Sequence, residues 1–100
     1  MTSDDLLYAS VDSVIERWAE ENSVKLFRSV ADRDARFVYL SSSKGECFQI
    51  SVEPPNGGFV TVHAWTIETL DDREMHEEWA SPVAELYGAL QNALAIVRGW

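Results

Sequence analysis

One cysteine, three prolines and eight basic residues in a chain of one hundred are short supplies, and each shortage removes a class of protein. A lone Cys47 cannot close an intramolecular disulfide, and it offers no second thiolate for a cysteine-based metal site. The stretch from Met1 to Asp5 has neither a positively charged start nor a long apolar run. Together these features lead us to expect a reducing, cytoplasmic setting without a targeting segment. No stretch approaches the roughly 20 apolar residues that a membrane helix needs, so no membrane partner is expected.

Glycine-rich phosphate loops are also missing. Asn56, Gly57 and Gly58 read as hairpin chemistry, Gly45 closes a turn, and Lys44 is the only cation near either. No nucleotide and no other cofactor is expected. Seventeen acidic residues against the eight basic ones give a formal charge of -9. Such a field repels phosphate backbones and anionic lipid, which argues against nucleic acid as a partner. It favours a basic protein surface or serves solubility alone, and solubility is the weightier account.

The stretch from Cys47 to Ile67 organises the chain. Residues 47–53 and 59–67 are alternating β-branched and aromatic runs separated by Pro54, Pro55, Asn56, Gly57 and Gly58, the pattern of a hairpin. With Glu53 opposite Phe59 across a five-residue loop, Val52 meets Val60, Ile50 meets Val62 and Phe48 meets Ala64. All six apolar side chains then share one face. A slip of one residue would turn half of them over.

The other segments fit around this hairpin. Thr2, Ser3, Asp4 and Asp5 supply N-cap candidates and acids, and Leu7, Val11, Val14, Ile15 and Trp18 follow at helical spacing, predicting an amphipathic helix to Glu21 or Asn22. Residues 24–30 and 35–41 read as strands, with a turn at 31–34. Pairing Leu40 with Phe48 and Val38 with Ile50 extends the apolar face and sets Phe37 and Tyr39 on the other. Phe27 would join Tyr39, although Leu26 and Phe27 compete for the core. After Ile67 the pattern turns helical: Asp71 with Glu74 resembles a capping box, predicting a helix from about Asp72. Ser81 and Pro82 interrupt it, and Val83, Leu86, Tyr87, Leu90, Ala93, Leu94 and Val97 form the stripe of a last helix.

The expected architecture is a single α+β domain over residues 1–100, in the order α-β-β-β-β-α-α. It is a two-layer sandwich: a four-stranded antiparallel meander with its N-terminal and C-terminal helices on one face.

Cys47 and His63 share a face of the hairpin, and a thiol beside an imidazole is the smallest nucleophilic kit. No third group orients the ring, so a small buried cysteine is the stronger reading. His76 lies in a segment reminiscent of a metal-binding helix, but the second histidine would fall at Ala80, so no metal site is expected. Glu68, Asp71, Asp72, Glu74, Glu77 and Glu78 crowd the last third and read first as a solvated face, second as a contact for a basic partner.

Phe37, Tyr39, Gln49, Phe59, Thr61, His63 and Trp65 make up the remaining sheet face, rich in the residue types of binding centres. The expected function is therefore a non-catalytic, acidic protein-interaction domain that uses this face, the acidic segment or both, with another protein or a second copy of itself as partner. Secretion chaperones and immunity or antitoxin proteins are analogous in class and charge only. The alternative is a small-ligand binder or minor enzyme built on His63, Cys47 and Tyr39.

Overall fold

Two glycines fix the register on which the sheet depends. In the computed structural model, which describes residues 8–29, 35–71 and 74–100, Gly57 and Gly58 have φ of +61° and +83°. Positive φ at both central residues is the mark of a type I′ turn, whose twist matches that of the flanking strands. Asn56 and Phe59 close it with reciprocal backbone hydrogen bonds of 2.8 and 3.1 Å. The turn is thus two residues long, not five. Pro54 and Pro55 sit within the β3 arm rather than in the loop.

A two-residue turn alone would move the pairing by three residues, but one extra residue on the 53–55 side, between Val52 opposite Val62 and Asn56 opposite Phe59, leaves β3 (Cys47–Val52) and β4 (Phe59–Glu68) shifted by two from the expected register. Val52 faces Val62, Ile50 faces Ala64, Ser51 faces His63 and Gln49 faces Trp65. A shift of two keeps every side chain on its expected face. A bulge at Cys47 and Phe48 then brings Cys47 opposite Glu68.

The rest of the sheet is a meander in sequence order, β1 (Leu26–Ser29), β2 (Ala35–Ser41), β3, β4 and β5 (His76–Pro82), antiparallel throughout. Between β2 and β3 the expected pairs hold: Leu40 meets Phe48 and Val38 meets Ile50. The competition in β1 resolves with Leu26 packed against the core and Phe27 on the opposite face among rings.

The fifth strand corrects the expected helix from Asp72, a residue that lies outside the described ones. Glu, Met and Ala favour helix, and the capping-box spacing of Asp71 and Glu74 strengthened that expectation. Pairing overrides propensity here. The ten-residue β4 presents an edge, and β5 satisfies it from Trp65 opposite His76 to Phe59 opposite Pro82. Trp79 and Ser81 alternate inward, and His76 and Glu78 outward. Four strands thus become five, and among the described residues the order is α-β-β-β-β-β-α, with a 3-10 turn (Val83–Glu85) leading into the last helix.

The two helices are α1 (Asp12–Glu21) and α2 (Leu86–Arg98). Before α1 the described chain turns at Tyr8 to Val11, so the helix starts later than its apolar spacing suggested; the proposed caps at Thr2 to Asp5 and the 31–34 turn lie outside the described residues. One buried cluster joins Val11, Ile15 and Trp18 of the α1 region, Leu86, Leu90, Ala93, Leu94 and Val97 of α2, and the inward strand residues Val38, Phe48, Ile50, Val52, Val60, Val62 and Ala64. Both helices therefore cover the same side of the sheet. The indole N–H of Trp18 donates to Oε1 of Gln91 at 3.0 Å, and the Tyr87 hydroxyl donates to the Glu21 carboxylate, joining the helices to each other. No described helix is long and apolar enough to cross a membrane.

A charged residue lies within this layer. Arg36 is 1 % exposed, grips both carboxylate oxygens of Asp12 at 2.7 and 3.2 Å, and stacks its guanidinium 4.1 Å from the centre of the Tyr8 ring. The Tyr8 hydroxyl donates to the carbonyl of Val52 at 2.9 Å. Planarity and a forked set of donors suit Arg to this position in a way that Lys would not.

Candidate functional site

Strand alternation sends every second residue away from the helices, and among the described residues no element covers that outer face. Phe27, Phe37, Tyr39, Gln49, Ser51, Phe59, Thr61, His63, Trp65, His76 and Glu78 lie there, as their cross-strand partners require. Tyr39 is 43 % exposed, Phe59 53 % and Trp65 37 %. All seven residues expected at an interface, Phe37, Tyr39, Gln49, Phe59, Thr61, His63 and Trp65, occupy this single surface.

The rings gather into two groups at opposite flanks. On β1 and β2, Phe27, Phe37 and Tyr39 touch pairwise with centroids 5.4 to 5.5 Å apart, one pair stacked and two edge to face. These are the separations that aromatic quadrupoles favour. The ammonium of Lys25 lies 5.2 Å from the Phe27 ring, a cation over a ring face. Between the flanks β3 contributes Gln49 and Ser51, and β4 contributes Thr61, all uncharged and half-buried.

The second group forms on β4 and β5. Trp65 stacks against both imidazoles, with centroids 5.9 Å from His63 and 5.3 Å from His76, and the two imidazoles, 5.5 Å between centroids and 12° from parallel, meet edge to edge through their nitrogens. Carboxylates flank these rings. Nε2 of His63 contacts Glu53 Oε2, and its Nδ1 faces His76 Nε2 at 3.2 Å and Glu78 Oε2 at 3.7 Å. The side chain of His63 is 16 % exposed, whereas Glu53 and Glu78 are about half exposed at 52 % and 54 %. The imidazole is thus the one well-sheltered member of a polar cluster.

His76, which helical spacing leaves without a partner, belongs to the site. Read as helix, the segment lacked a partner one turn on from His76. Read as strand, His76 and Glu78 are two apart and share a side, and the hairpin returns them to His63. A spacing of two with a β4 partner was the signal available, and the acidic composition hid it.

Other expected groupings disperse. Cys47 lies four residues along β3 from Ser51, the residue facing His63, which is about 13 Å of strand. Its Sγ sits 3.9 Å from the Phe48 carbonyl, so thiol and imidazole do not form a pair. Tyr39 stands two strands from His63, about 10 Å across the sheet. The acids separate as well: Glu68 ends β4, Asp71 and Glu74 lie in the following connection, and Glu77 and Glu78 point to opposite sides of β5. Strand geometry splits what a helix would have gathered on one face.

Comparison of the chain with protein-family models, with curated proteins and with solved structures finds no match in any of the three.

Proposed function

We propose that this chain is a non-catalytic binding domain whose outer sheet face receives a protein surface, either a basic partner or a second copy of itself. One observation supports the reading above others: two sets of stacked rings stand on one uncovered face, with an uncharged strip between them. Aromatic residues over an uncharged centre, with charge moved to the rim, are the composition of binding centres. Exposed Tyr39 and Trp65 supply large contact area with few rotatable bonds to freeze.

Charge bears on the partner's nature. A net charge of -9 opposes the approach of a like-charged copy at long range and speeds that of a basic surface. Phosphate-bearing partners are disfavoured for the same reason, even though rings on a sheet also serve single-stranded nucleic acid in basic proteins. The rival reading, a ligand binder or enzyme using Cys47, His63 and Tyr39, draws on residues that the register keeps apart.

Two measurements test the proposal on the intact chain. Sedimentation velocity over a wide concentration range reads self-pairing, and affinity capture from host extract reads a foreign partner. Tyr39→Glu and Trp65→Glu should abolish whichever association the wild type makes, while circular dichroism and melting stay close to wild type. A wild type that remains monomeric and captures the same proteins as both variants ends the reading.

A further inference from the structure

We propose that His63, His76 and Glu78 form a binding site for a divalent transition-metal ion of the zinc class, with Glu53 orienting His63 from behind. The inference stands whether or not a protein partner uses the same face.

Geometry is the first support. His63 Nδ1, His76 Nε2 and a Glu78 carboxylate oxygen lie within 4.8 Å of one another. Donors bound to one Zn²⁺ at about 2.0–2.1 Å stand about 3.3 Å apart at the tetrahedral angle. The observed separations of 3.2 Å between the two nitrogens and 3.7 Å between His63 and Glu78 bracket that value. Glu78 is 54 % exposed and can rotate inward to close the third edge.

Proton arithmetic is the second. A carboxylate accepts and does not donate, so Glu53 requires Nε2 of His63 to carry the hydrogen. In the neutral ring this leaves the Nδ1 lone pair directed at His76 and Glu78. A carboxylate behind a metal-bound imidazole fixes the tautomer and raises the basicity of the ligating nitrogen. The lone pair of Nδ1 and the carboxylate of Glu78 then face each other as two acceptors 3.7 Å apart. Without an ion, an N–H on His76 Nε2 occupies that lone pair at 3.2 Å; an ion held by both imidazoles and Glu78 would take its place.

The backbone is the third. His63 and Glu78 are directly opposed partners on β4 and β5, and His76 is the diagonal neighbour opposite Trp65. Three of the four participants therefore stand on paired strands, and the fourth follows β3 at its end, with the Glu53 N–H donating to the Thr61 carbonyl at 3.0 Å. Trp65, stacked on both imidazoles, limits their rotation. Two imidazoles and one carboxylate suit Zn²⁺, and three protein ligands leave a position open to water or to a donor from another molecule.

The competing account is a hydrogen bond from the His76 Nε2–H to His63 Nδ1, which needs no metal. Isothermal titration of the purified chain with Zn²⁺, and the visible spectrum with Co²⁺, separate the two. The expected result is saturable binding of one ion per chain. His76→Ala should weaken it at least tenfold, as should Glu78→Gln, and Glu53→Gln should weaken it by roughly tenfold through the ring it orients. Glu77→Gln, on the other side of β5, should change it less than twofold. His76 and Glu78 are exposed on the edge strand, so circular dichroism should show both variants folded. Absence of saturable binding overturns the proposal in favour of the imidazole hydrogen bond, and binding that survives His76→Ala or Glu78→Gln overturns it by placing the ion elsewhere.

Discussion

On β1 and β2 three carbon rings touch pairwise, Phe27 and Phe37 half-buried and Tyr39 open, whereas on β4 and β5 an indole stacks on two imidazoles beside two carboxylates. Ring spacing is nearly the same at the two flanks, about 5.4 Å against 5.3 to 5.9 Å. What differs is the demand that each set makes on its surroundings. The carbon rings lose only water when covered, so their packing contributes to holding β1 against β2. The imidazoles bring lone pairs and hydrogens that must be matched, so covering the second flank requires polar partners as well as apolar contact. One folding layer thus supports two surfaces of opposite chemistry.

The largest test removes what both flanks rest on. Ile50 is 1 % exposed in the middle of β3, beneath the strip between them, and Ile50→Ala should cost roughly 2–5 kcal/mol in urea unfolding. A loss under about 1 kcal/mol would mean that the inner layer does not support the outer. Next comes the contrast itself. Phe37→Ala and Trp65→Ala each remove two ring contacts; from its half-buried position Phe37→Ala should cost about 1–3 kcal/mol, whereas Trp65→Ala, at the more exposed position, should cost about 1 kcal/mol or less. The reverse order would erase the distinction between the two flanks.

The smallest effect lies away from both and serves as a reference on the helical side. The hydroxyl of Tyr87 donates to Glu21, which raises its pKa above the ordinary tyrosine value, with partial burial and the Glu21 charge acting in the same direction. A raised pKa means that the contact favours the neutral hydroxyl. Its contribution is therefore complete at neutral pH and disappears only as alkaline pH rises through the shifted value. Glu21→Gln should return the Tyr87 ultraviolet titration towards the ordinary midpoint, with the outer face unaltered.

Much of the inner layer could be read from residue order. Alternation in 47–52 and 59–64, and the stripe from Leu86 to Val97, are strong because burial on one face imposes period two or period 3.6. The register was less legible because a loop rich in Pro, Asn and Gly admits several closures. Only the positive φ of Gly57 and Gly58 selects the tight one. The fifth strand was hidden for a different reason: residues 74–80 hold a single large apolar side chain that packs on the core, Trp79, and the surrounding acids carry no period of their own. With that strand read as helix, His76 lost its neighbours. The grouping of His63, His76 and Glu78 therefore stayed out of sight, while the ring-bearing face, which depends on the legible strands, did not.

Arg36 carries a consequence for how α1 sits on the sheet. Aliphatic stripes lying on a pleated surface tolerate small axial slides, since one methyl groove resembles the next. A forked guanidinium that holds both oxygens of Asp12 while lying flat on Tyr8 has one fitting position along the helix axis and one azimuth about it. The clamp thereby indexes α1 against β2, a device for uniqueness of packing rather than strength.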